Sequence, residues 1–286
     1  MTMAEHALHR AFCLCQAPEL KALPRPRFDN GRRLYRCGHC SLHQLAPYPV
    51  ATNTDCSIYS EPDYLDTIPE DEHHGYFRAL YDGVLSALIS SDSRILDFGA
   101  GTCDYHRFLR DLGYKQVHSL EINPHLAQAA RSRFGLDTVV TQFEDLPDEP
   151  FDLIYANQVL EHIYNPLDLI NGPIADRLAP GGYLVLTLPN FDSLNRAVLG
   201  HRWIGYSPAE HIWFFTANWF HREMARSARY SVSRTFVHSA INTTHDRFVP
   251  RSVVKRAYYR TVMRAFEAIG RGDQLIVVLR KRSAPD

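Results

Sequence analysis

The chain has 286 residues, 45% hydrophobic and 22% charged, a composition that can bury a sizeable core. Lys plus Arg number 31 and Asp plus Glu 32, a formal net charge of -1, which argues against a protein that lives on nucleic acid through bulk charge. The least polar stretch, around Leu178 to Phe191, is broken by Pro180, Gly181, Gly182 and Pro189 and cannot span a bilayer, and the opening residues lack an apolar signal core, so a cytoplasmic protein is expected.

Four of the six cysteines fall in the first 40 residues, as Cys13-Leu-Cys15 and Cys37-Gly-His-Cys40 with 21 residues between the pairs. In a chain without a secretory signature such a grouping points to metal rather than to disulfides. Two close pairs can place four thiolates tetrahedrally around Zn²⁺, so residues 1–48 are read as a zinc ribbon with Cys13, Cys15, Cys37 and Cys40 as ligands. Asp29-Asn30-Gly31 marks a turn between its short arms. The departure is the single residue between Cys13 and Cys15, where ribbons usually carry two. His9, His39 and His43 are candidate substitute ligands that read more simply as surface histidines. Residues 49–68, polar and proline-containing, read as a connecting strap, and residues 69–286 as the main domain.

That domain alternates helix and strand. A helix is predicted from Pro69 to Asp92 through Phe77, Leu80, Tyr81, Val84, Leu85 and Leu88 at helical spacing. Arg94 to Phe98 reads as a strand, Tyr105 to Leu112 as a helix closed by Gly113, and Val117 to Ile122 as a second strand. Asn123 caps a helix with Pro124 at its first position and Gly135 past its end. Strands follow at Asp137 to Thr141 and Phe151 to Ala156, a helix at Pro166 to Leu178, and an apolar strand at Gly182 to Leu188. Past Thr216 come a helix to Arg229, a strand over Tyr230 to Val237, a basic amphipathic helix over Val249 to Ile269 and a last strand over Gln274 to Leu279. The alternation predicts an α/β fold, a doubly wound and mostly parallel seven-stranded sheet with helices on both faces.

The loop after the first domain strand reads Asp97-Phe-Gly99-Ala100-Gly101-Thr-Cys103-Asp104. Glycines between a strand and a helix let a ligand approach the backbone and meet free amides at the helix's positive end. Twenty residues after Gly101, Glu121 ends the second strand, where a carboxylate can accept hydrogen bonds from both ribose hydroxyls. A dinucleotide fold has similar spacing, but its third glycine is absent, with Asp104 in that place, and Asp97 stands where such folds prefer an apolar residue.

These segments resemble the class I S-adenosylmethionine-dependent methyltransferases. Ile95 to Gly101 resembles their first motif, Glu121 their ribose-binding acid, Phe151 to His162 their fourth strand and the turn beyond it, and Leu178 to Asn190 their fifth-strand motif. The resemblance implies cofactor contacts from Asp97, Gly99, Ala100, Gly101, Glu121, Ile122, Gln142, Phe143 and Asn157. Gln142 stands in the place of the usual adenine-binding acid, and Cys103 where many members carry a third glycine. The ribbon followed by the segment around Tyr48, and Pro208-Ala-Glu210-His211-Ile-Trp-Phe-Phe-Thr216, are similar to zinc-ribbon methyltransferases associated with sugars and natural products. In the deoxysugar members a Glu-His pair at this place lies at the acceptor. They carry a further C-terminal domain.

A hydroxyl acceptor needs a base near working pH. His211 is the first candidate, with Glu210 holding its tautomer or acting itself, and His162 the second. Tyr76 is a candidate to close over the cofactor. Trp203, Tyr206 and Trp213 wall an acceptor pocket or pack in the core. The expected activity is methyl transfer from S-adenosylmethionine to a small-molecule acceptor, a sugar or related metabolite, with structural Zn²⁺ and without nucleic acid or membrane as partner. The rivals are an RNA methyltransferase whose ribbon grips its substrate, and a non-catalytic binding protein suggested by Cys103 and Gln142.

Overall fold

The computed structural model describes residues 13–48, 74–239 and 253–283, without the side chains of 74, 75 and 253–260. The strap, His9 and the first residues of two expected helices (69–73 and 249–252) lie outside the described residues.

The ribbon consists of three antiparallel strands, β1 (Leu20–Arg27), β2 (Arg33–Cys37) and β3 (His43–Ala46). The predicted turn joins the first two: Gly31 takes φ +80° and its N–H donates to the Phe28 carbonyl at 3.0 Å. Helix α1 (His74–Gly83) buries Phe77 and Leu80. It stops earlier than predicted, because Val84 at φ -135° breaks the spiral and a single tight turn, Leu85–Ala87, follows.

The βα units then appear in the predicted order: β4 (Ile95–Phe98), α2 (Asp104–Asp111), β5 (Val117–Leu120), α3 (Pro124–Phe134), β6 (Val139–Val140) and β7 (Phe151–Asn157). Asn123 caps α3 by accepting the N–H groups of His125 and Leu126, and Gly135 ends it at φ +62°. The helix expected over 166–178 is broken into α4 (Pro166–Leu169), a wide turn (Ile170–Ile174) and α5 (Ala175–Arg177), with Gly172 outside helical geometry. The cause is Gly172-Pro173, since a proline ring clashes with the turn before it and has no N–H to give. Strand β8 (Leu178–Pro189) is the longest, and α6 (Leu194–Leu199), β9 (Trp213–Phe214), α7 (Ala217–Met224), β10 (Tyr230–His238), α8 (Val253–Ala268) and β11 (Gln274–Lys281) complete the chain.

The main sheet has seven strands in the order β10-β11-β8-β7-β4-β5-β6. β4 to β8 run parallel, and β11 and β10 close one edge antiparallel. This is the predicted class I methyltransferase architecture. Buried apolar clusters cover both faces, Leu96, Ile154 and Leu186 on one, Ile95, Leu153 and Val185 on the other. From β4 the order runs to β5 on one side and β7 on the other, which opens a crevice at the carboxyl ends of these strands.

The ribbon's sheet is completed by a strand from the main domain, about 170 residues further along the chain. β9 pairs with β3, and the Leu45 N–H donates to the Ile212 carbonyl at 2.9 Å. The ribbon is therefore built into the segment that follows β8.

Candidate active site

At the crevice, the β4–α2 loop is shaped by its glycines. Gly99 has φ +70°, and a Cβ there would fall 2.6 Å from Val159 Cγ2, so the crossing admits only glycine. Gly101 has φ +54° and faces open space on the side a Cβ would occupy. Cys103 begins α2 at φ +59° and is fully buried, so it takes the left-handed conformation that makes glycine the easier residue there. Glu121 ties the loop down: its Oε2 accepts the Gly101 N–H at 2.6 Å and its Oε1 the Asn123 N–H at 2.8 Å. Each oxygen keeps a lone pair. Asp97 is 3% exposed and its Oδ2 has no partner; burial, then Glu121 and Asp104, push its carboxyl well above the ordinary range. Neither Asp97 nor Glu121 meets a cation among the described residues.

The remaining cofactor candidates surround this loop. Ala100 sits inside it, and Ile122 projects beside Glu121, 42% exposed. Gln142 is exposed at the head of the short turn Phe143–Asp145, and Phe143 is half-buried under the Arg177 guanidinium, 5.5 Å from its ring. Asn157 ends β7, where its Oδ1 accepts from the Tyr76 hydroxyl at 3.3 Å and from Thr187. Tyr76 thus reaches from α1 to the crevice.

Beyond β7 a short turn, Leu160–His162, and the loop before β9 bring three groups together. Glu161 is 0% exposed, His211 7%, and His162 half-buried. The His211 Nδ1–H donates to the Gly205 carbonyl at 3.0 Å, which leaves Nε2 as a bare lone pair 4.0 Å from Glu161 Oε1. The His162 ring stands edge-on to His211, centroids 4.6 Å apart. Burial raises Glu161 to about 8, its own backbone N–H pulling slightly back. Burial lowers His162 to about 4, and burial together with His162 lowers His211 to about 3. At neutral pH the cluster is an uncharged carboxyl beside two uncharged imidazoles, so the 4.0 Å contact is not an ion pair.

Glu210, expected to hold the His211 tautomer, is placed otherwise. Its carboxylate accepts from the Ser207 hydroxyl at 3.3 Å, the tautomer is set by Gly205, and the carboxylate set against His211 is Glu161. Sequence reading passed over Glu161 because nothing in Leu160-Glu161-His162 shows which of two adjacent polar residues turns inward. It also passed over Arg32. This guanidinium, 4% exposed, donates to the carbonyls of Pro47 at 2.8 Å, Pro208 at 2.7 Å and Leu45 at 3.0 Å, and burial lowers it to about 10. Trp203 and Trp213 lie in the core, their N–H groups given to Asp273 and to the Ile163 carbonyl. Tyr206 is 2% exposed among Phe191, Trp203 and Phe214.

The four ribbon cysteines converge. Cys13 and Cys40 sulfurs are 3.2 Å apart, Cys15 and Cys13 3.3 Å, and Cys15 and Cys37 3.5 Å. A tetrahedron with 2.3 Å bonds has edges of about 3.8 Å, so four thiolates here need to part only slightly to enclose Zn²⁺. The short Cys13-x-Cys15 pair works because Gln16, at φ +59°, returns its N–H to the Cys13 carbonyl at 2.8 Å and turns both sulfurs inward. His39 is exposed, and His43 lies away from the sulfurs, its ring 4.2 Å from that of Phe191.

The sequence pattern of the family described as "Methyltransferase domain" matches residues 73–227, more than half of the chain. The chain belongs to this family. Its fold is that of the class I S-adenosylmethionine-dependent methyltransferases. The chain is 32% identical over 100 residues to trans-aconitate 2-methyltransferase of Rhizobium rhizogenes, 34% of this chain and 39% of that protein. It is 28% identical over 106 residues to ribosomal protein L11 methyltransferase of Burkholderia mallei, 36% of this chain and 34% of that protein. The matches thus span little more than a third of these relatives' length. Among solved structures it resembles a chain of the Haloferax volcanii complex between the Trm112 methyltransferase activator and a methyltransferase, with TM-score 0.56, 18% identity and coverage of 81% of this chain and 100% of that one. It also resembles coclaurine N-methyltransferase bound to N-methylheliamine and SAH, with TM-score 0.53, 15% identity and coverage of 82% and 84%. At such identities the likeness is one of fold.

The crevice fits S-adenosylmethionine chemically. A buried Asp97 oxygen without a partner suits a cationic ligand, the spare lone pairs of Glu121 suit ribose hydroxyls, and the open side of Gly101 lets a ligand lie against the backbone. Among the described residues no helix is long and apolar enough to cross a membrane.

Proposed function

We propose that this methyltransferase acts on a small molecule, a sugar or related metabolite, at a hydroxyl held against the Glu161–His162–His211 cluster. The observation that carries this reading is the burial of a potential base. His211 Nε2 carries an open lone pair, yet the residue is 7% exposed, so a group that reaches it must enter a recess rather than lie on a surface.

The cofactor supplies a sulfonium methyl already activated toward attack, so the chain's work is to position, to exclude water and to receive a proton. Asp97, Gly99, Gly101 and Glu121 hold the loop against the cofactor, with Ala100, Ile122, Gln142, Phe143 and Asn157 around it. His211, lowered to about 3 in the unliganded fold rather than poised near working pH, becomes an effective proton acceptor at Nε2 only when Glu161, with Oε1 4.0 Å away, is ionised and stabilises the imidazolium. His162 gives an N–H to the Glu210 carbonyl and stays neutral, limiting the ways His211 can turn. Zn²⁺ on Cys13, Cys15, Cys37 and Cys40 would be structural, saturated by four sulfurs and open to no substrate.

The test is to incubate the protein with methyl-labelled S-adenosylmethionine and fractionated cell extract. Label in low-molecular-weight metabolites is expected, and label confined to RNA or protein overturns the reading.

A further inference from the structure

Between the ribbon and the main domain runs a groove of about 1400 Å³ that the methyl-transfer site does not use. One wall is the ribbon. Leu23, Arg25 and Arg27 of β1, in the stretch where its register against β2 shifts, line it together with Leu34 and Arg36 of β2. The other wall carries Arg196 of α6 and Arg222 of α7. Five guanidinium groups thus line one depression, and among its described lining residues Asp192 is the only carboxylate.

The arginines are not consumed by the fold. Arg25 and Arg27 are exposed and have neither a hydrogen-bond nor an ion-pair partner among the described residues. Arg36 gives one bond to Ser41, at 2.9 Å. Arg196 lies over the Phe191 ring at 4.0 Å and donates to the Phe191 carbonyl, and Arg222 donates to the Cys40 carbonyl. Each guanidinium has five donors, so most remain available. Two lining residues, Trp219 and His43, also carry a buried polar atom, Nε1 and Nδ1, without a hydrogen-bond partner among the described residues. His43 registers the local field: burial, then Arg36 and Arg196, lower it to about 4.

We propose that this groove binds the phosphate groups of a small, multiply phosphorylated ligand. Guanidinium forks match phosphate oxygens bidentately, and two facing walls of arginines hold more cationic donors than a single phosphate requires. A net charge of -1 on the whole chain makes this local excess a feature of the groove rather than of the surface at large. A nucleic-acid strand fits less well. Stacking platforms need exposed aromatic rings, and the large apolar side chains exposed among the described residues are aliphatic: Ile122, Val198, Leu199, Ile204 and Ile269. The inference stands on the groove alone and holds whatever acceptor the methyl site takes.

Calorimetry on the full chain with inorganic pyrophosphate tests it, using wild type, the double variant Arg25→Ser/Arg27→Ser and its charge-keeping counterpart Arg25→Lys/Arg27→Lys. Wild type is expected to bind pyrophosphate, more weakly as salt rises. The serine variant should lose tenfold or more in affinity, the lysine variant less, and S-adenosylmethionine affinity should be unchanged in both, which also reports that they fold. Absence of pyrophosphate binding to wild type, or equal binding to wild type and the serine variant, overturns the proposal. A 12-nucleotide oligouridylate that binds wild type more tightly than pyrophosphate, and loses that affinity in the serine variant, overturns it in favour of a nucleic-acid groove.

Discussion

Replacing Glu161 by glutamine keeps the size and shape of a fully buried side chain and removes its only ionisable proton. In the folded chain the carboxyl is raised from 4.5 to about 8, chiefly by burial. A group whose folded pKa is raised favours its protonated form in the fold, so its contribution is complete below pH 4.5 and is lost as pH climbs toward 8. One pKa unit is about 1.4 kcal/mol, so the loss comes to roughly 5 kcal/mol across the window, about 3 of it by pH 7. His162 and His211, lowered to about 4 and about 3, act in the opposite sense: their contribution is complete above 6.5 and is lost as pH falls through those values. Between pH 4.5 and 6.5 the two histidines regain more than the one carboxyl loses, so stability from this cluster should peak near pH 6.5. Urea midpoints at pH 5.5 and pH 8.5 measure it. Glu161→Gln should exceed wild type by only about 1 kcal/mol at the lower pH, one unit above 4.5 and before the cost of one altered hydrogen bond, and by several kcal/mol at the higher.

The same substitution separates stability from chemistry. If ionised Glu161 stabilises the imidazolium of His211, wild-type turnover rises toward pH 8 and the variant lacks that rise. The variant's turnover should fall by about 10- to 100-fold at pH 8 with cofactor affinity unchanged, part of the range that general-base partners supply. A variant whose urea midpoint follows pH as wild type does, or whose turnover keeps the rise, would refute the assignment of a protonated buried carboxyl beside His211.

Glu121→Ala removes the proposed ribose partner and frees the Gly101 amide, so calorimetry should show S-adenosylmethionine bound tenfold or more weakly, about 1–3 kcal/mol; unchanged affinity removes Glu121 from the site. His211→Ala should lower turnover by about 10²–10⁴-fold with near-normal cofactor affinity, and His162→Ala by less; the reverse ranking makes His162 the base, and little loss in either points to an acceptor that needs none. Elemental analysis should find about one zinc per chain, lost in Cys37→Ser together with thermal stability of the ribbon; a metal-free chain of wild-type stability would refute the tetrathiolate site.

The parts legible in the sequence were those written in local chemistry. The glycines at 99 and 101, the Asn123-Pro124 cap and the turn at Asn30-Gly31 each fix a conformation through their own backbone preferences, and each lies where expected. What stayed hidden depends on partners distant in the chain. Gly172-Pro173 broke a helix whose apolar spacing was otherwise regular, and Val84 ended another early. The carboxylate opposite His211 was placed at Glu210, its neighbour in sequence, but the fold brings Glu161 from the end of β7 instead, fifty residues away. On the basic helix α8, Arg264 has a described side chain, and it is exposed. The arginine groove was invisible for the same reason as Glu161: its walls come from residues 23–43 and 191–222.

That long-range pairing bears on why a four-cysteine ribbon accompanies a methyltransferase fold at all. The loop that carries His211 has no regular structure between α6 and β9 apart from short turns, yet the proposed proton transfer requires it to present Nε2 to within a fraction of an ångström. The ribbon braces it from two directions. β3 pairs with β9 immediately after His211, and from the β1–β2 hairpin Asn30 and Arg32 both donate to the Pro208 carbonyl, at 2.7 Å each. Arg32 has three carbonyl partners, so its charge is spread over backbone dipoles that hold β3 and the 205–211 loop at a fixed separation. A ribbon of this size has too little apolar core to hold that geometry by burial alone, and a tetrathiolate metal site would supply the missing rigidity. Placed this way, zinc would take no part in bond making and would still set the position of His211, the proposed proton acceptor, because Cys37 ends β2, the strand that links the hairpin with Arg32 to β3.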